Sequence, residues 1–250
     1  MKILVTGGTG VIGVATIDEL LRQQHSVRLL SRNAEADAGR WTDVEAIDGD
    51  VSEARVLERS ATGCEAIIHI AGIVAEEPPD VTFETINVGG TRNAVEAASR
   101  AGVKRFVFIS SLGAGTGASE YHASKRAAEE IVRSAGFNWT IVRQANVYGP
   151  GDEVISLILR LVRTLPVVPV VGDGKQPFQP IWHEDAGKAL AAIVAREDLG
   201  GRILEIAGND VTSMSDLLNR FDQITERSTR RLPVPSALAG IAATIGSLAG

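Results

Sequence analysis

Three glycines spaced three residues apart, Gly7, Gly10 and Gly13, lie between an apolar run at residues 2–5 and a helical pattern at residues 11–24. Glycine lets the backbone turn tightly and approach a pyrophosphate, whose charge is met by free amides at the N-terminus of the helix. Because the pattern stands between a strand and a helix, it predicts a dinucleotide-binding loop, the alternative being a purely structural turn. The predicted contacts are Gly7, Thr9, Gly10, Val11, Ile12 and Gly13.

The rest of the chain alternates short apolar runs with helical patterns, which is typical of βαβ units that build a parallel sheet. Most of the runs are uninterrupted, as strands covered on both faces should be. We therefore predict the α/β class, with a doubly wound parallel sheet (Rossmann fold) and a small C-terminal substrate lobe. The predicted strands are residues 2–5, 26–30, 44–48, 66–70, 105–109, 139–142 and 202–206, and the predicted helices are residues 11–24, 54–61, 83–101, 121–135, 184–196 and 213–225.

The stretch from residue 148 to residue 180 departs from this alternation, because it carries five of the nine prolines. We expect the chain to leave the sheet there and to return afterwards. The predicted dinucleotide-binding core is residues 1–147 with 181–207, and the predicted substrate-binding lobe is residues 148–180 with 208–250.

Composition excludes several classes of partner and site. A formal net charge of -6 leaves no basic footprint for nucleic acid, so a small-molecule substrate is expected instead. Cys64 is the only cysteine, which rules out an internal disulfide and a zinc site built on several thiolates. We predict no metal site, and we expect a reducing, cytoplasmic compartment because the opening residues form a strand pattern and not a secretion signal.

The longest uncharged stretch, residues 232–250, is diluted by prolines, glycines and hydroxyl residues. A membrane-spanning helix needs about 20 predominantly apolar residues. A packing helix is therefore predicted, with membrane contact as the less favoured alternative. The same segment is the candidate surface for a homodimer or a docking partner.

The end of the second predicted strand, Ser31 and Arg32, bears on the choice of dinucleotide. A carboxylate at this place would hydrogen-bond the adenosine ribose diol and repel a phosphate, and none stands there in the sequence. Arg32 can pair with a ribose phosphate, so NADP is predicted in preference to NAD, the alternative being a solvated surface cation. Asp50 and Val51 should line the adenine side, and Ala71 with Gly72 should leave room near the phosphates.

A catalytic pattern follows the fifth predicted strand. Ser110 and Ser111 end the strand, and Tyr121 and Lys125 stand four residues apart, on one face of a helix. A phenol has an ordinary pKa near 10, and an adjacent ammonium favours its phenolate, so the pair predicts acid/base catalysis. A chance Tyr-x-x-x-Lys is the alternative.

Together, these motifs resemble those of the short-chain dehydrogenase/reductase superfamily. The likeness is to its extended and atypical branches, which include nucleotide-sugar epimerases, dehydratases and the NAD(P)-binding accessory subunit group of respiratory complex I. The segments that carry it, spread between Met1 and about Thr225, are residues 6–13, 69–72, 87–93, 108–111, 121–125, 143–150 and 181–186.

The resemblance implies a role for each matching residue. Tyr121 would be the general acid/base, Lys125 would hold the nicotinamide ribose and lower the pKa of Tyr121, and Ser111 would bind the substrate oxygen. Asn87 would support the site beside the cofactor. Gln144, which replaces a usual proline or tyrosine, would contact the cofactor, and Asn146 would touch the substrate.

Three functions remain open at this point. The first is an NAD(P)-dependent oxidoreductase that moves a hydride to or from a hydroxyl- or carbonyl-bearing carbon. The second is a nucleotide-sugar epimerase or dehydratase. The third is a cofactor-binding sensor or assembly subunit without turnover.

Overall fold

The structure is a computed structural model that describes residues 1–152 and 154–235. By their contacts, the described residues group into two compact units. The first consists of Met1–Val147 and Ile181–Ala207, and the second of Tyr148–Pro180 with the described residues from Gly208 onward.

The first unit is an α/β structure whose elements alternate along the chain. Its opening part contains β1 (Lys2–Thr6), α1 (Val11–Arg22), β2 (Ser26–Ser31), α2 (Ala34–Ala38), β3 (Val44–Asp48), α3 (Ala54–Ala61), β4 (Ala66–His69), a π-helix (Phe83–Gly89) and α4 (Gly90–Ala101). It continues with β5 (Arg105–Ser111), a 3-10 turn (Leu112–Ala114), α5 (Glu120–Arg133), β6 (Asn138–Gln144) and the start of β7 (Val147–Tyr148). After the second unit's first segment come β10 (Ile181–Trp182), α7 (His183–Val194), a 3-10 turn (Glu197–Leu199) and β11 (Arg202–Ile206).

Seven of these strands form one parallel sheet in the order β11-β6-β5-β4-β1-β2-β3. The strand order reverses between β1 and β4, and the carboxyl ends of these strands therefore border the crevice where open α/β sheets bind ligands. This confirms the predicted doubly wound parallel sheet.

Alternate residues of the strands enter two separate core layers. Phe106 and Phe108 of β5 pack in the layer with α3, α4 and α5, whereas Val107 and Ile109 pack in the layer with α1 and α7. Both faces of the sheet are thus covered, which explains the uninterrupted apolar runs of the sequence.

Arg105, at the start of β5, is 4% exposed and joins three elements. Its guanidinium donates to Asn138 Oδ1 (2.8 Å) and Thr140 Oγ1 (2.7 Å) of β6 and to the carbonyl of Ile193 (3.0 Å) at the end of α7. A buried guanidinium needs such acceptors, and here they tie β5 and β6 to α7.

Two elements depart from the predicted pattern. The short helix α2 was not predicted, and the first turns of the predicted helix 83–101 form a π-helix, Phe83–Gly89. A capping box between Thr82 and Thr85 begins this π-helix. Single π-helical turns occur preferentially at functional sites, and this one carries Asn87.

The second unit contains α6 (Val154–Thr164), β8 (Val167–Val171), β9 (Pro177–Phe178), β12 (Thr212–Ser213), α8 (Met214–Ile224) and β13 (Arg230–Val234). Two helices and a parallel strand pair, β8 with β13, enclose a small apolar cluster around Val162, Val168, Leu218 and Phe221. Only the first residues of the apolar segment 232–250 belong to β13, and residues 236–250 lie outside the described part of the chain. Among the described helices, none is long and apolar enough to cross a membrane.

Candidate active site

The glycine loop after β1 is closed by contacts that admit no side chain at two of its positions. Gly7 has a φ of +68°, and a Cβ there would lie 2.6 Å from the Ala71 amide nitrogen. A Cβ on Gly13 would lie 2.2 Å from the Gly7 carbonyl oxygen. Gly10 differs, since the nearest atom its Cβ would meet is the Gly7 carbonyl oxygen at 3.7 Å. The loop therefore excludes a side chain at Gly7 and Gly13, whereas the space next to Gly10 is open.

The open side of this loop presents the beginning of α1. The first hydrogen bond within α1 runs from the Val14 amide to the Gly10 carbonyl (2.9 Å), so the amides of Val11, Ile12 and Gly13 precede it and have no helical acceptor. These amides and the positive end of the helix dipole suit a diphosphate group. The residues present thus fit the dinucleotide that the sequence predicts.

A carboxylate of α2 contacts the end of β2, and the sequence pattern did not reveal it. The Ser31 hydroxyl donates to the carboxylate of Asp37, while Arg32 is exposed beside it. The expectation that no carboxylate stands at this place is wrong, because the unpredicted helix α2 turns Asp37 back toward Ser31. The Ala34 amide, at the start of that helix, donates to Asp48 Oδ1 (2.7 Å), which fixes the turn.

The turn after β3 is hydrogen-bonded to α4. Asp50 accepts a hydrogen bond from the Ser52 amide (2.8 Å), and Val51 is buried. Asn93 Nδ2 donates to the carbonyls of Val51 and Ser52, both at 3.0 Å. Sequence reasoning missed Asn93, which positions the residues predicted to line the adenine.

Tyr121 lies in the first turn of α5, which Ser119 caps by accepting a hydrogen bond from the His122 amide (3.3 Å). The Ser111 side chain at the end of β5 is close enough to the Tyr121 phenol to affect its pKa. Burial raises the pKa of Tyr121, and the neighbouring Ser111 side chain partly offsets this rise. Burial therefore outweighs the lowering of the Tyr121 pKa that the family resemblance implies.

Lys125 is one helical turn beyond Tyr121 and is 5% exposed. Its ammonium group donates to the Ile109 carbonyl of β5 (3.0 Å). Burial lowers the pKa of Lys125 from 10.5 to about 8, and the negative charge of Glu129 opposes that change. Lys125 thus carries a positive charge at neutral pH although water is largely excluded from it.

Asn87 is 1% exposed and binds two segments that flank the site. Its amide exchanges hydrogen bonds with the backbone of Ile73 (2.8 and 3.0 Å) and donates to Ser124 Oγ (2.9 Å). The Ser124 hydroxyl in turn donates to the Tyr121 carbonyl (2.7 Å). Asn87 therefore contacts the first turn of α5 through Ser124, a positioning residue that the sequence analysis did not single out.

Gly72, just after β4, faces both Lys125 and Asn87. A Cβ there would lie 3.0 Å from Lys125 Nζ and 3.1 Å from Asn87 Oδ1. The sequence predicts that Ala71 and Gly72 leave room for a phosphate. In the structure, the side of Gly72 that would carry a Cβ faces the ammonium group of Lys125.

An ion pair supports the same helix one turn beyond Lys125. Glu129 is fully buried and receives two hydrogen bonds from Arg143, Nε at 2.9 Å and a terminal nitrogen at 2.8 Å, and one from the Ser110 hydroxyl at 2.6 Å. Ser110 therefore has a structural partner, and the role of Ser111 as the reactive serine stays a prediction. Spacing alone did not identify Glu129.

Two predicted site residues, Gln144 and Asn146, follow Arg143 in the chain and differ in burial. Gln144 ends β6 in register with Ser111, and its Oε1 atom is buried with no hydrogen-bond partner among the described residues. Asn146, the predicted substrate contact, is exposed.

His69 is buried in a chain of hydrogen bonds. Burial lowers its pKa to about 3, and its ring nitrogens lie 2.7 Å from Thr6 Oγ1 and 3.2 Å from Thr91 Oγ1. Thr91 donates to the Asn87 carbonyl (2.6 Å), so it accepts from a neutral His69 protonated on Nε2. Within residues 1–152 and 154–235, no group of three His, Cys, Asp or Glu side chains could hold a metal ion.

Comparisons with known proteins agree with this geometry. A family model described as "NAD dependent epimerase/dehydratase family" matches residues 3–207. The chain is 34% identical over 241 residues to the ceramide reductase of Caulobacter vibrioides, an alignment that covers 94% of this chain and 75% of the relative. It is 27% identical over 246 residues to the mitochondrial NADH dehydrogenase [ubiquinone] 1 alpha subcomplex subunit 9 of Arabidopsis thaliana, with 94% of this chain and 61% of the relative covered.

Solved structures share the fold. MoeE5 in complex with UDP-glucose and NAD superposes with a TM-score of 0.81 at 24% identity, over 94% of this chain and 85% of that chain. The UDP-glucose 4-epimerase of Thermus thermophilus in complex with NAD gives a TM-score of 0.78 at 24% identity, over 94% and 86% of the two chains.

Proposed function

Since the chain belongs to the NAD dependent epimerase/dehydratase family, we propose that it is an oxidoreductase that transfers a hydride between NADP(H) and a carbon bearing a hydroxyl or carbonyl group. The observation that carries the proposal is the position of the Ser111 side chain beside the Tyr121 phenol, with Lys125 buried one turn beyond Tyr121 in α5. These groups stand at the carboxyl end of β5, above the crevice of the sheet.

The chemistry divides between cofactor and protein. A bound nicotinamide supplies or accepts the hydride. The hydroxyl groups of Ser111 and Tyr121 bind the substrate oxygen, and in the direction of reduction Tyr121 gives its proton to that oxygen. The raised pKa of Tyr121 keeps the phenol protonated at neutral pH, and the positive charge of Lys125 stabilises the phenolate that forms.

The proposed preference for NADP rests on Arg32, an exposed cation at the end of β2. Its guanidinium can make a charge-assisted pair with the ribose phosphate, while the neighbouring Asp37 carboxylate opposes that phosphate. NADP should therefore bind more tightly than NAD, and Arg32→Ala should lower the affinity for NADP about tenfold and leave that for NAD unchanged. Arg40→Ala, at another exposed arginine, is the matched control.

Titration of both dinucleotides by fluorescence tests this assignment. Equal affinities of the wild type for NADP and NAD would refute the assignment of Arg32. An equal loss of affinity for both dinucleotides in Arg32→Ala would also refute it. Asp37→Asn should act in the opposite direction and tighten NADP, because it removes a negative charge beside the proposed phosphate.

The catalytic assignment is tested by Tyr121→Phe. Aldehydes, ketones and sugar nucleotides are screened for cofactor-linked absorbance change in the wild type and the variant. Tyr121→Phe should lower kcat by at least 100-fold, since general acid/base catalysis contributes about 10²–10⁴. Its cofactor affinity should stay within about twofold, and an active variant would reject the role of Tyr121.

A second candidate is an epimerase or dehydratase of a nucleotide-linked sugar. It is favoured by the likeness to MoeE5 and to the UDP-glucose 4-epimerase, both named as complexes with NAD. Such an enzyme returns the hydride to its substrate, so sugar conversion without net consumption of NADPH distinguishes it from a reductase. Binding of cofactor with no turnover of any substrate would favour a cofactor-binding subunit.

A further inference from the structure

His69 ends β4 in a fully buried position, and the proposed chemistry does not use it. Its ring stacks on Phe108 of β5, with ring centroids 5.9 Å apart. Lys125 Nζ lies 5.2 Å from the centroid of the same Phe108 ring. Burial, and after it the charge of Lys125, lowers the pKa of His69 to about 3. The imidazole is therefore uncharged at pH 7, with one nitrogen that donates a hydrogen bond and one that accepts.

The hydrogen bonds around His69 all run in one direction. Thr91 donates its hydroxyl proton to the Asn87 carbonyl (2.6 Å), so the Thr91 oxygen accepts from His69 Nε2 (3.2 Å). His69 Nδ1 then accepts from the Thr6 hydroxyl (2.7 Å). The Thr6 oxygen in turn faces the Ala71 amide at 3.4 Å. Donors thus point toward Asn87 at every step, and hydrogen bonds that are linked in this way strengthen one another.

This chain of hydrogen bonds ends in the π-helix that carries Asn87. The Gly90 amide bonds there to the Thr85 carbonyl, five residues back, where an α-helix would use the carbonyl four residues back. In this widened turn the Thr91 hydroxyl reaches the Asn87 carbonyl. Because His69 donates to the same hydroxyl, the widened turn is fixed to the end of β4.

The side chain of Asn87 connects the widened turn to α5. Asn87 donates to Ser124 Oγ (2.9 Å), and the Ser124 hydroxyl donates to the Tyr121 carbonyl (2.7 Å). Both Asn87 and Ser124 are buried. A displacement of the π-helix would therefore move the first turn of α5, which carries the proposed acid.

We propose that His69 is a positioning residue for Tyr121. It acts through Thr91, Asn87 and Ser124, and it joins the π-helix to the ends of β1 and β4. The inference rests on the proposed function, in which Tyr121 transfers the proton. The phenol is thereby kept at the distance from the substrate oxygen that proton transfer needs, and a small misplacement of a reacting group costs a large factor in rate.

Substitutions of Thr91 test the proposal without changing the site itself. Thr91→Val keeps the shape of the side chain and removes its hydroxyl, whereas Thr91→Ser keeps the hydroxyl. Thr140→Val is the matched control, because Thr140 is also fully buried and its hydroxyl donates to the Leu199 carbonyl (2.6 Å) in the turn before β11. Steady-state kinetics with a carbonyl compound from the screen described above, and the Tm, are measured for each variant.

Thr91→Val should lower kcat about 10- to 100-fold, with the KM for NADPH within about twofold of the wild type. Thr91→Ser should restore kcat to within about threefold of the wild type. Thr140→Val should lose as much Tm as Thr91→Val, since both leave buried polar groups unpaired, and should keep the wild-type kcat.

A second measurement needs neither cofactor nor substrate. The chain has two tyrosines, so carbon-13 at the phenol carbon gives two signals, of which Tyr121→Phe removes one. The Tyr121 signal should move, and its titration midpoint should change, in Thr91→Val but not in Thr91→Ser or Thr140→Val. Nitrogen-15 spectra of the four histidines should show His69 with its proton on Nε2 from about pH 5 to about pH 8.

A wild-type kcat or an unmoved Tyr121 signal in Thr91→Val would overturn the inference. A loss of kcat in Thr140→Val as large as in Thr91→Val would also overturn it, because general destabilisation would then explain both. Protonation of His69 within the measured pH range would contradict the direction of the hydrogen bonds. If the wild type turns over no carbonyl compound, the proposed function fails, and the Tyr121 signal by itself decides whether His69 positions Tyr121.

Discussion

Replacing Lys125 by methionine should make the protein more stable and inactive. Lys125 is 5% exposed, and burial lowers the pKa of its ammonium from 10.5 to about 8. A difference of about 2.5 in pKa, at about 1.36 kcal/mol for each, corresponds to a cost of about 3 kcal/mol for keeping this charge in the folded protein. Loss of the hydrogen bond to the Ile109 carbonyl returns about 1 kcal/mol of that cost, so Lys125→Met should gain about 2 kcal/mol at pH 7.

The gain in stability from Lys125→Met should decrease as the pH rises. Between pH 8 and pH 10.5 the unfolded chain binds more protons at Lys125 than the folded protein does, so the wild type becomes relatively more stable as pH rises through this window. Lys125→Met lacks this titration. Its advantage should therefore be complete below pH 8 and should become a deficit of about 1 kcal/mol near pH 10.5, where the cost of the charge is gone and the lost hydrogen bond remains.

Urea denaturation at pH 7 and at pH 10 measures both quantities. Lys104→Met, at an exposed lysine, is the control and should show no difference from the wild type that changes with pH. A Lys125→Met variant that is less stable than the wild type at pH 7, or whose advantage is the same at both pH values, would refute the argument from burial.

Three further substitutions test the packing around the site. Gly72→Ala should reduce kcat at least tenfold with less than about 1 kcal/mol change in stability, since the added methyl group would lie 3.0 Å from Lys125 Nζ and displace it; wild-type kinetics would contradict this. Glu129→Gln should lower the free energy of unfolding by about 2–4 kcal/mol, because it removes the fully buried charge that pairs with the half-buried Arg143 guanidinium, and urea melts that show under about 1 kcal/mol would contradict it. Gly113→Ala should lower the Tm, because its Cβ would lie 2.2 Å from the His122 ring, and His122→Ala should restore stability in the double variant; a simple sum of the two losses would exclude this contact.

The sheet and its crossover helices were predictable because their signal is local. Each strand is a short apolar run, and the glycine spacing after β1 is a backbone requirement that Gly7 and Gly13 meet in the structure. The family expected from the motifs is confirmed by the family model. The boundaries of β11 are the same in sequence and structure, since residues 202–206 are flanked by glycine and polar residues.

The supporting residues of the site were not predictable, because nothing in their spacing specifies a partner. Asp37 reaches Ser31 through a five-residue helix too short to show periodicity. Glu129 continues the Tyr121 and Lys125 face of α5 by one more turn, but its partner Arg143 is on a different strand. The helical pattern at residues 83–101 gave no indication that its first turns would widen into a π-helix around Asn87.

The late position of β11 in the chain has a consequence for biosynthesis. β6 lies between β5 and β11, yet 57 residues separate Gln144 from Arg202, and the acceptor that Arg105 finds at Ile193 is also made late. While the polypeptide is still emerging from the ribosome, β6 is an unprotected sheet edge and Arg105 lacks one of its acceptors. A nascent chain arrested before Arg202 should therefore recruit chaperones, whereas a chain released after Ile206 has been made should pair β11 with β6.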